Sequence, residues 1–191
     1  LLTKNVKMIV IACNTATAFA LEDLKKVLSI PIIGVIQPGA RAAIKQTENK
    51  QIGIIGTEGT VKSGAYPRAL KKINQQLNVT SLACPQFVPM VEKGITSGEE
   101  AYKVVAEALR PLKEGTNIDT LVLGCTHYPL LQQVIQDVMG DVKIISSGEE
   151  TARETSVILE MHHLLYTEPR NPKHTFYTTG DLAVFQQISH S

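Results

Sequence analysis

Long apolar runs and clusters of one charge are both missing from the 191 residues of the sequence. The longest apolar stretch without a charged residue, 8–21, contains Asn14 and two threonines. It is shorter than the roughly 20 residues of a transmembrane helix. The 19 basic and 18 acidic side chains nearly cancel, with no Lys/Arg-rich run and no alternation of basic and aromatic residues. These absences disfavour membrane insertion and binding to nucleic acid.

Cysteine is also scarce, with three residues, Cys13, Cys84 and Cys125. An odd number at wide spacing does not fit a disulfide framework, so we expect reduced thiols in a cytoplasmic protein. Neither C-x-x-C nor H-x-x-x-H occurs, and Cys125 with His127 would supply only two of the three or four ligands of a zinc site. The phosphate-binding patterns G-x-G-x-x-G and G-x-x-x-x-G-K-[ST] are absent too, which disfavours nucleotide cofactors.

The first residues lack the basic segment, apolar stretch and cleavage site of a signal peptide. The sequence has no initiating Met at its start, and an apolar run typical of a strand follows almost at once. We therefore expect that the protein continues upstream of Leu1.

With 43% hydrophobic residues, the chain can bury a core. Short apolar runs with the length of buried parallel strands cover residues 7–12, 32–36, 51–56, 79–83, 120–124, 142–146 and 175–177. Between them lie stretches with helical periodicity, at 15–28, 38–46, 63–77, 98–112, 129–139, 148–166 and 181–188. This alternation predicts an α/β fold with parallel sheets flanked by helices.

Two positions have the character of domain boundaries. At residues 37–39 a predicted strand gives way to a Pro-Gly pair that can open a helix, and a Ser-Ser-Gly segment occupies 146–148. The sequence thus predicts one complete α/β unit over residues 37–147. Residues 1–36 and 148–191 would be parts of a second α/β unit.

One internal similarity concerns two of the cysteines. Residues 8–17 and 120–129 each combine an apolar strand, a small residue, a cysteine and polar residues before a predicted helix. Ligands bind beyond the carboxyl ends of the strands in open α/β sheets. We therefore expect Cys13 and Cys125 to face each other across a domain interface, whereas Cys84 lacks this context and is interpreted as packing.

Two such thiols could perform acid–base chemistry. The unpaired N–H groups of a helix start stabilise an anion and lower the pKa of a thiol from its ordinary value of about 8.5. Racemisation at a carbon next to a carboxylate needs a base on one face and an acid on the other. One thiolate and one thiol would satisfy that need, with roles that exchange with the reaction direction.

The polar residues near the two cysteines and after the predicted strand 51–56 have two interpretations. Asn14, Thr15 and Thr126 follow the cysteines, and Thr57 and Thr60 follow the predicted strand 51–56. They could cap helices, or their hydroxyls and the free N–H groups nearby could bind a small carboxylate. From the residues alone, His127 is a half-buried polar group near a helix start and Glu92 is a surface charge.

Five segments carry a resemblance to a known family. Residues 12–18 (ACNTATA) and 124–131 (GCTHYPLL) resemble the two catalytic signatures of the glutamate racemases, within the aspartate/glutamate racemase superfamily. Residues 31–39, 56–63 and 87–94 also resemble that family, in the same order along the chain.

The resemblance implies two similar α/β domains with the active site between them, and neither pyridoxal phosphate nor a metal. It implies an isomerase in which Cys13 takes the α-proton of D-glutamate and Cys125 that of L-glutamate, with His127 assisting Cys125 and Glu92 in support. The residues implied to bind the substrate are Asn14, Thr15, Thr57, Thr60 and Thr126. The implied product is D-glutamate for peptidoglycan and cell-wall biogenesis, with a homodimer left open.

The family's opening Asp-Ser-Gly motif and a later Pro-Tyr-Gly segment are not in the sequence, which agrees with the expectation that the protein continues upstream. Other functions stay open at this point. They are a racemase for aspartate or another small acid, and a non-catalytic carboxylate-binding module. A thiol redox protein is disfavoured, because neither motif has a second cysteine nearby.

Overall fold

The computed structural model describes residues 1–169 and 171–189, which contain six strands and nine α-helices. The strands are β1 (Ile9–Ile11), β2 (Ile32–Gly34), β3 (Gln51–Gly56), β4 (Asn78–Ala83), β5 (Thr120–Gly124) and β6 (Lys143–Ser146). The α-helices are α1 (Asn14–Val27), α2 (Ile36–Gln46), α3 (Glu58–Ser63), α4 (Ala65–Ile73), α5 (Phe87–Glu92), α6 (Gly98–Gly115), α7 (Gln132–Met139), α8 (Gly148–Met161) and α9 (Leu182–Ser189). Short 3₁₀ helices lie at Leu2–Lys4 and Tyr128–Leu131.

All six strands pair in parallel and form two sheets. β1 pairs with β2, and the other four run in the order β4-β3-β5-β6. β3 and β5 are the inner strands of the larger sheet, so helices can cover both of their faces. The predicted α/β fold class with parallel sheets flanked by helices is therefore confirmed.

The larger sheet has a hydrophobic core on each face, because successive residues of a strand point to opposite sides. Leu121 and Leu123 of β5 belong to the core that α5, α6 and α7 complete. Val122, between them, belongs to the core that α2 and α4 complete. The carboxyl end of β5 therefore lies between two packed layers.

The smaller sheet is less buried from solvent than the larger one. Val10 at the centre of β1 is 42% exposed, whereas β2 is buried along its length. The α1 helix packs close against β2, since a Cβ added at Gly34 would lie 2.3 Å from Cγ2 of Thr17. The Thr17 hydroxyl donates a hydrogen bond to the carbonyl of Ile11 at 3.0 Å and accepts one from the N–H of Val35 at 3.4 Å. This residue thus attaches α1 to the ends of both strands.

Several predicted elements differ from the observed ones. The helix predicted over 63–77 corresponds to α4, which begins after Gly64 and ends at Ile73, whereas α3 ahead of it was not predicted; Gly64, with a left-handed φ of 62°, separates the two helices. The strand predicted over 175–177 is wrong, because those residues are exposed and pair with no strand in the described ranges. The helix predicted over 148–166 ends at Met161.

Other differences lie closer to the cysteines. The sequence prediction missed α5, which carries Glu92 at its end. α2 begins at Ile36, ahead of the proposed boundary at 37–39. The predicted division at residues 37 and 147 stays a prediction, although β1 and β2 share one sheet and β3 to β6 the other. Residues 170, 190 and 191, which the predicted second unit includes, lie outside the described residues.

Candidate active site

Cys13 lies between β1 and α1 and caps the helix. Its Sγ accepts a hydrogen bond from the backbone N–H of Ala16 at 3.4 Å, and its side chain is exposed. A sulfur in this position faces the free N–H groups of the first helical turn, which stabilise negative charge. The structure thus gives this thiol the helix-start position that the sequence predicts.

Cys125 follows β5, but its surroundings differ from those of a helix start. The 3₁₀ helix Tyr128–Leu131 comes first, and α7 begins only at Gln132. Cys125 is 7% exposed, and burial is the largest cause of a raised pKa of its thiol, although the backbone N–H groups of His127 and Tyr128 act in the opposite direction. The expected lowering is therefore wrong for this cysteine, because the core does not solvate a thiolate as water does.

Cys13 and Cys125 follow strands of different sheets, but the segments that carry them meet at Tyr66. Besides burial, a negative charge on Cys13 also raises the pKa of Cys125. A Cβ added at Gly124, before Cys125, would lie 3.2 Å from the Tyr66 ring, and the Tyr66 hydroxyl donates a hydrogen bond of 2.7 Å to Oδ1 of Asn14, after Cys13, so the two thiols share one region of the molecule. Neighbouring thiols do not readily ionise together, and the pair therefore favours one thiolate and one thiol.

A histidine and a carboxylate stand behind Cys125. His127 Nδ1 lies 3.9 Å from Cys125 Sγ, and His127 Nε2 lies 3.4 Å from Glu92 Oε1. The Glu92 side chain is 48% exposed, as expected of a surface charge, and it also contacts His127. The arrangement can pass a proton between the thiol and the imidazole, with the carboxylate stabilising an imidazolium.

Three threonine hydroxyls meet where α1 contacts α3. The Thr15 hydroxyl lies 2.8 Å from that of Thr57 and 3.0 Å from that of Thr60, and the latter two are 3.1 Å apart. Thr57 also caps α3, since its hydroxyl accepts the N–H of Thr60 at 3.2 Å. Each hydroxyl can donate and accept hydrogen bonds, so this threonine cluster suits both capping and ligand binding.

The remaining predicted binding residues differ in exposure. Thr126 is exposed beside Cys125, whereas Asn14 is only 3% exposed. The Asn14 Oδ1 accepts a hydrogen bond from the hydroxyl of Tyr66 at 2.7 Å. The sequence prediction missed Tyr66, because a single aromatic residue in a helical stretch carries no local signal of such a contact.

Cys84 is fully buried, which confirms its interpretation as packing. Burial raises the pKa of its thiol to about 12, so it stays protonated. Its backbone carbonyl accepts a hydrogen bond from the Tyr128 hydroxyl at 2.8 Å, and the Tyr128 ring packs edge-on against Phe87 at 5.1 Å. These contacts hold the segment that follows Cys125 against the core.

A cavity of about 510 Å³ lies among α2, β6 and α8, and neither Cys13 nor Cys125 lines it. Its charged side chains pair with one another, as Lys45 with Glu150 at 2.9 Å, so it has less to offer a ligand than the thiol region. Among the described residues, no group of three or more His, Cys, Asp or Glu side chains could hold a metal ion. No helix in the same ranges is long and apolar enough to cross a membrane.

The arrangement of these groups on an α/β fold is typical of acid–base enzymes. Two thiols at the carboxyl ends of parallel strands, a histidine beside a carboxylate and a cluster of hydroxyls are groups that suit the movement of a proton on and off a small substrate. The comparisons with known proteins agree with that class.

The sequence profile described as Asp/Glu/Hydantoin racemase matches residues 1–155. A glutamate racemase of Oceanobacillus iheyensis is 63% identical over 190 residues, which are 99% of this chain and 69% of that protein. A glutamate racemase isoform from Bacillus anthracis has a similar structure, with a TM-score of 0.91 at 49% identity over 97% of this chain and 69% of that one. The glutamate racemase of Francisella tularensis in complex with D-glutamate gives a TM-score of 0.90 at 33% identity, over 99% and 70% of the two chains.

The chain therefore belongs to the Asp/Glu/Hydantoin racemase family, and its similarity within that family is to glutamate racemases. The expectation of an amino-acid racemase is confirmed. The roles of the individual side chains stay predictions, which the geometry above now makes specific.

Proposed function

We propose that the protein interconverts L-glutamate and D-glutamate, with Cys13 and Cys125 as the acid–base pair and without pyridoxal phosphate or a metal. The observation that carries the proposal is the pair of thiols beyond β1 and β5, whose neighbours Asn14 and Gly124 both lie against Tyr66. The similar glutamate racemases, one of them in complex with D-glutamate, support the choice of substrate.

In the direction from D-glutamate, the Cys13 thiolate takes the α-proton and the electron pair of the C–H bond passes into the α-carboxylate. The Cys125 thiol then gives its proton to the opposite face of the α-carbon. When L-glutamate dissociates, Cys13 is a thiol and Cys125 is a thiolate. The burial that raises the pKa of Cys125 supports this direction, because it keeps that thiol protonated and ready to donate.

The reverse direction needs Cys125 as a thiolate, which its burial opposes. His127 Nδ1, 3.9 Å from the sulfur, is placed to take the thiol proton. Glu92, at 3.4 Å from Nε2, then stabilises the imidazolium. His127 is thus placed as a proton acceptor for Cys125, and it offsets the rise in the pKa of Cys125 that burial causes.

For the substrate, we propose contacts to the polar residues around the thiols. The hydroxyls of Thr15, Thr57 and Thr60, which lie within 3.1 Å of one another, can donate to carboxylate oxygens and accept from an ammonium group. Asn14 and Thr126 add donors next to the two cysteines. All five are neutral, so recognition would depend on directed hydrogen bonds rather than on ion pairs.

We also propose the division into a unit of residues 37–147 and a unit of residues 1–36 with 148–191. The pairing of β1 with β2, apart from β3 to β6, supports it. A small-molecule partner, a cytoplasmic location, a homodimer and a role in peptidoglycan synthesis belong to the same proposal and rest on the family resemblance.

The test is exchange of the α-proton in deuterated buffer. Full-length protein is incubated with either enantiomer of glutamate, with no cofactor added, and loss of the α-proton is followed by NMR while polarimetry follows inversion. We expect exchange and inversion with both enantiomers, unchanged by a chelator. Exchange that requires pyridoxal phosphate or a metal would contradict the mechanism. Faster turnover of aspartate would replace the substrate and leave the reaction type in place.

A further inference from the structure

Tyr66 occupies a tight space between the two cysteine motifs. It lies in the first turn of α4 and is 1% exposed. A Cβ added at Gly124, the residue before Cys125, would lie 3.2 Å from Cε2 of its ring. A Cβ added at Gly39 would lie 3.1 Å from its hydroxyl oxygen. Glycine at both positions therefore makes room for the ring, which packs directly against the end of β5.

The hydroxyl of Tyr66 reaches across to the other motif. It donates a hydrogen bond of 2.7 Å to Oδ1 of Asn14, the residue that follows Cys13. Burial, and after it the neighbouring Cys125, raises the pKa of Tyr66, so the phenol stays neutral and keeps the proton that it donates. One buried side chain thus contacts the residue before one catalytic candidate and the residue after the other.

This hydrogen bond determines which way the Asn14 amide points. With Oδ1 taken by Tyr66, the Nδ2 group is left as the donor of the side chain. Within residues 1–169 and 171–189, no protein group accepts a hydrogen bond from that Nδ2. No fully buried side-chain nitrogen or oxygen in those ranges lacks a partner, so Nδ2 reaches the accessible surface. Asn14 therefore presents a fixed and unused donor beside Cys13.

We propose that Tyr66 is a positioning residue, which holds the Asn14 amide so that its Nδ2 donates a hydrogen bond to a carboxylate oxygen of the substrate. The inference rests on the proposed glutamate racemisation and adds how one binding group is oriented. A carboxylate is present in the ground state and in the transition state alike, so this contact contributes to binding and affects KM more than kcat.

The test compares Tyr66→Phe, Asn14→Ala and the double variant in the full-length protein. The phenylalanine keeps the ring and removes only the hydroxyl, so we expect KM for glutamate to rise about tenfold, with kcat changed less than about threefold. In the Asn14→Ala background, Tyr66→Phe should change KM less than about twofold, because the two residues act through one contact. Tyr102→Phe, an exposed tyrosine on α6, is the matched control and should leave KM unchanged.

A purely structural role would produce a different pattern. If Tyr66→Phe lowered kcat with KM unchanged, or multiplied the effect of Asn14→Ala, the positioning role would be wrong. NMR of the ¹⁵N-labelled Asn14 side-chain amide separates this inference from the proposed function. Glutamate should shift that amide in the wild type and not in Tyr66→Phe, even if the wild type proved unable to racemise glutamate. An amide that shifts equally in both proteins would overturn the inference.

Discussion

The surroundings of Cys13 and those of Cys125 differ, although both cysteines follow a parallel strand. β1 has three residues in a two-stranded sheet, and Cys13 beyond it is exposed and caps an α-helix. β5 has five residues inside a four-stranded sheet, and Cys125 beyond it is buried between two packed layers. Similar local sequences therefore lead to different thiol environments, because burial depends on where the strand lies in its sheet.

The difference matters for a reaction that must run both ways. Burial opposes a thiolate at Cys125, and His127 with Glu92 stands next to that thiol. Cys13 has the N–H group of Ala16 instead. We infer that the two thiolates are stabilised by different means. A helix start stabilises the thiolate of Cys13, and a proton acceptor allows Cys125 to ionise.

Removal of either thiol should have the largest effect on racemisation. Cys13→Ala and Cys125→Ala should each lower racemisation by at least about 10²–10⁴-fold, because the mechanism needs a thiolate and a thiol at once. Cys84→Ala is the matched control, since that thiol packs in the core away from the proposed chemistry. Near-normal turnover in either active-site variant, measured by polarimetry in both directions, would rule out the two-thiol mechanism.

Alkylation with iodoacetamide should reveal the different accessibility of the three thiols. At neutral pH, we expect Cys13 to react first, Cys125 much more slowly and Cys84 not at all in the folded protein. Burial raises the pKa of Cys125, so its thiolate fraction and its alkylation rate should keep rising with pH beyond the ordinary thiol range. Burial raises the pKa of Cys84 to about 12, so alkaline buffer should still leave it unmodified. Peptide mass spectrometry follows all three, and faster labelling of Cys125 than of Cys13 would contradict the described burial.

His127→Ala removes the proposed proton acceptor of Cys125 and leaves the surroundings of Cys13 unchanged. We expect kcat from L-glutamate to fall about 10- to 100-fold, the loss expected when a hydrogen bond to a charged group is removed. The two enantiomers have equal free energies, so kcat/KM must stay equal in both directions and the asymmetry must show in kcat and KM separately. His174→Ala, an exposed histidine, is the control. An equal fall of kcat in both directions would mean that His127 does not serve Cys125 specifically.

Glu92→Gln should have the smallest effect. The carboxylate is about half exposed, and ion pairs of that kind contribute about 0–1 kcal/mol, so we expect kcat from L-glutamate to fall at most about fivefold. Glu107→Gln on α6 offers an exposed glutamate as the control. If Glu92→Gln were as damaging as His127→Ala, the carboxylate would have to act on the substrate itself rather than through the imidazole.

The elements nearest the thiols show how far sequence reasoning reaches. The apolar runs at 51–56 and 120–124 match β3 and β5 residue for residue, because a strand buried on both faces leaves no polar interruption. The helix carrying Glu92 was missed, since its six residues are too few to show a helical period. The α3 helix, also six residues long, was missed for the same reason, and Gly64 separates it from α4.

Sequence patterns are enough to predict the α/β fold, the family, and the two cysteines at the ends of parallel strands, because these follow from short-range patterns of apolar residues and from motifs. The three-dimensional packing alone shows which thiol is buried and that His127 contacts Glu92. It also decided that the Tyr66 hydroxyl reaches Asn14, 52 residues earlier in the chain. Burial and such contacts depend on how separate segments pack, and a residue's neighbours in sequence carry no record of that packing.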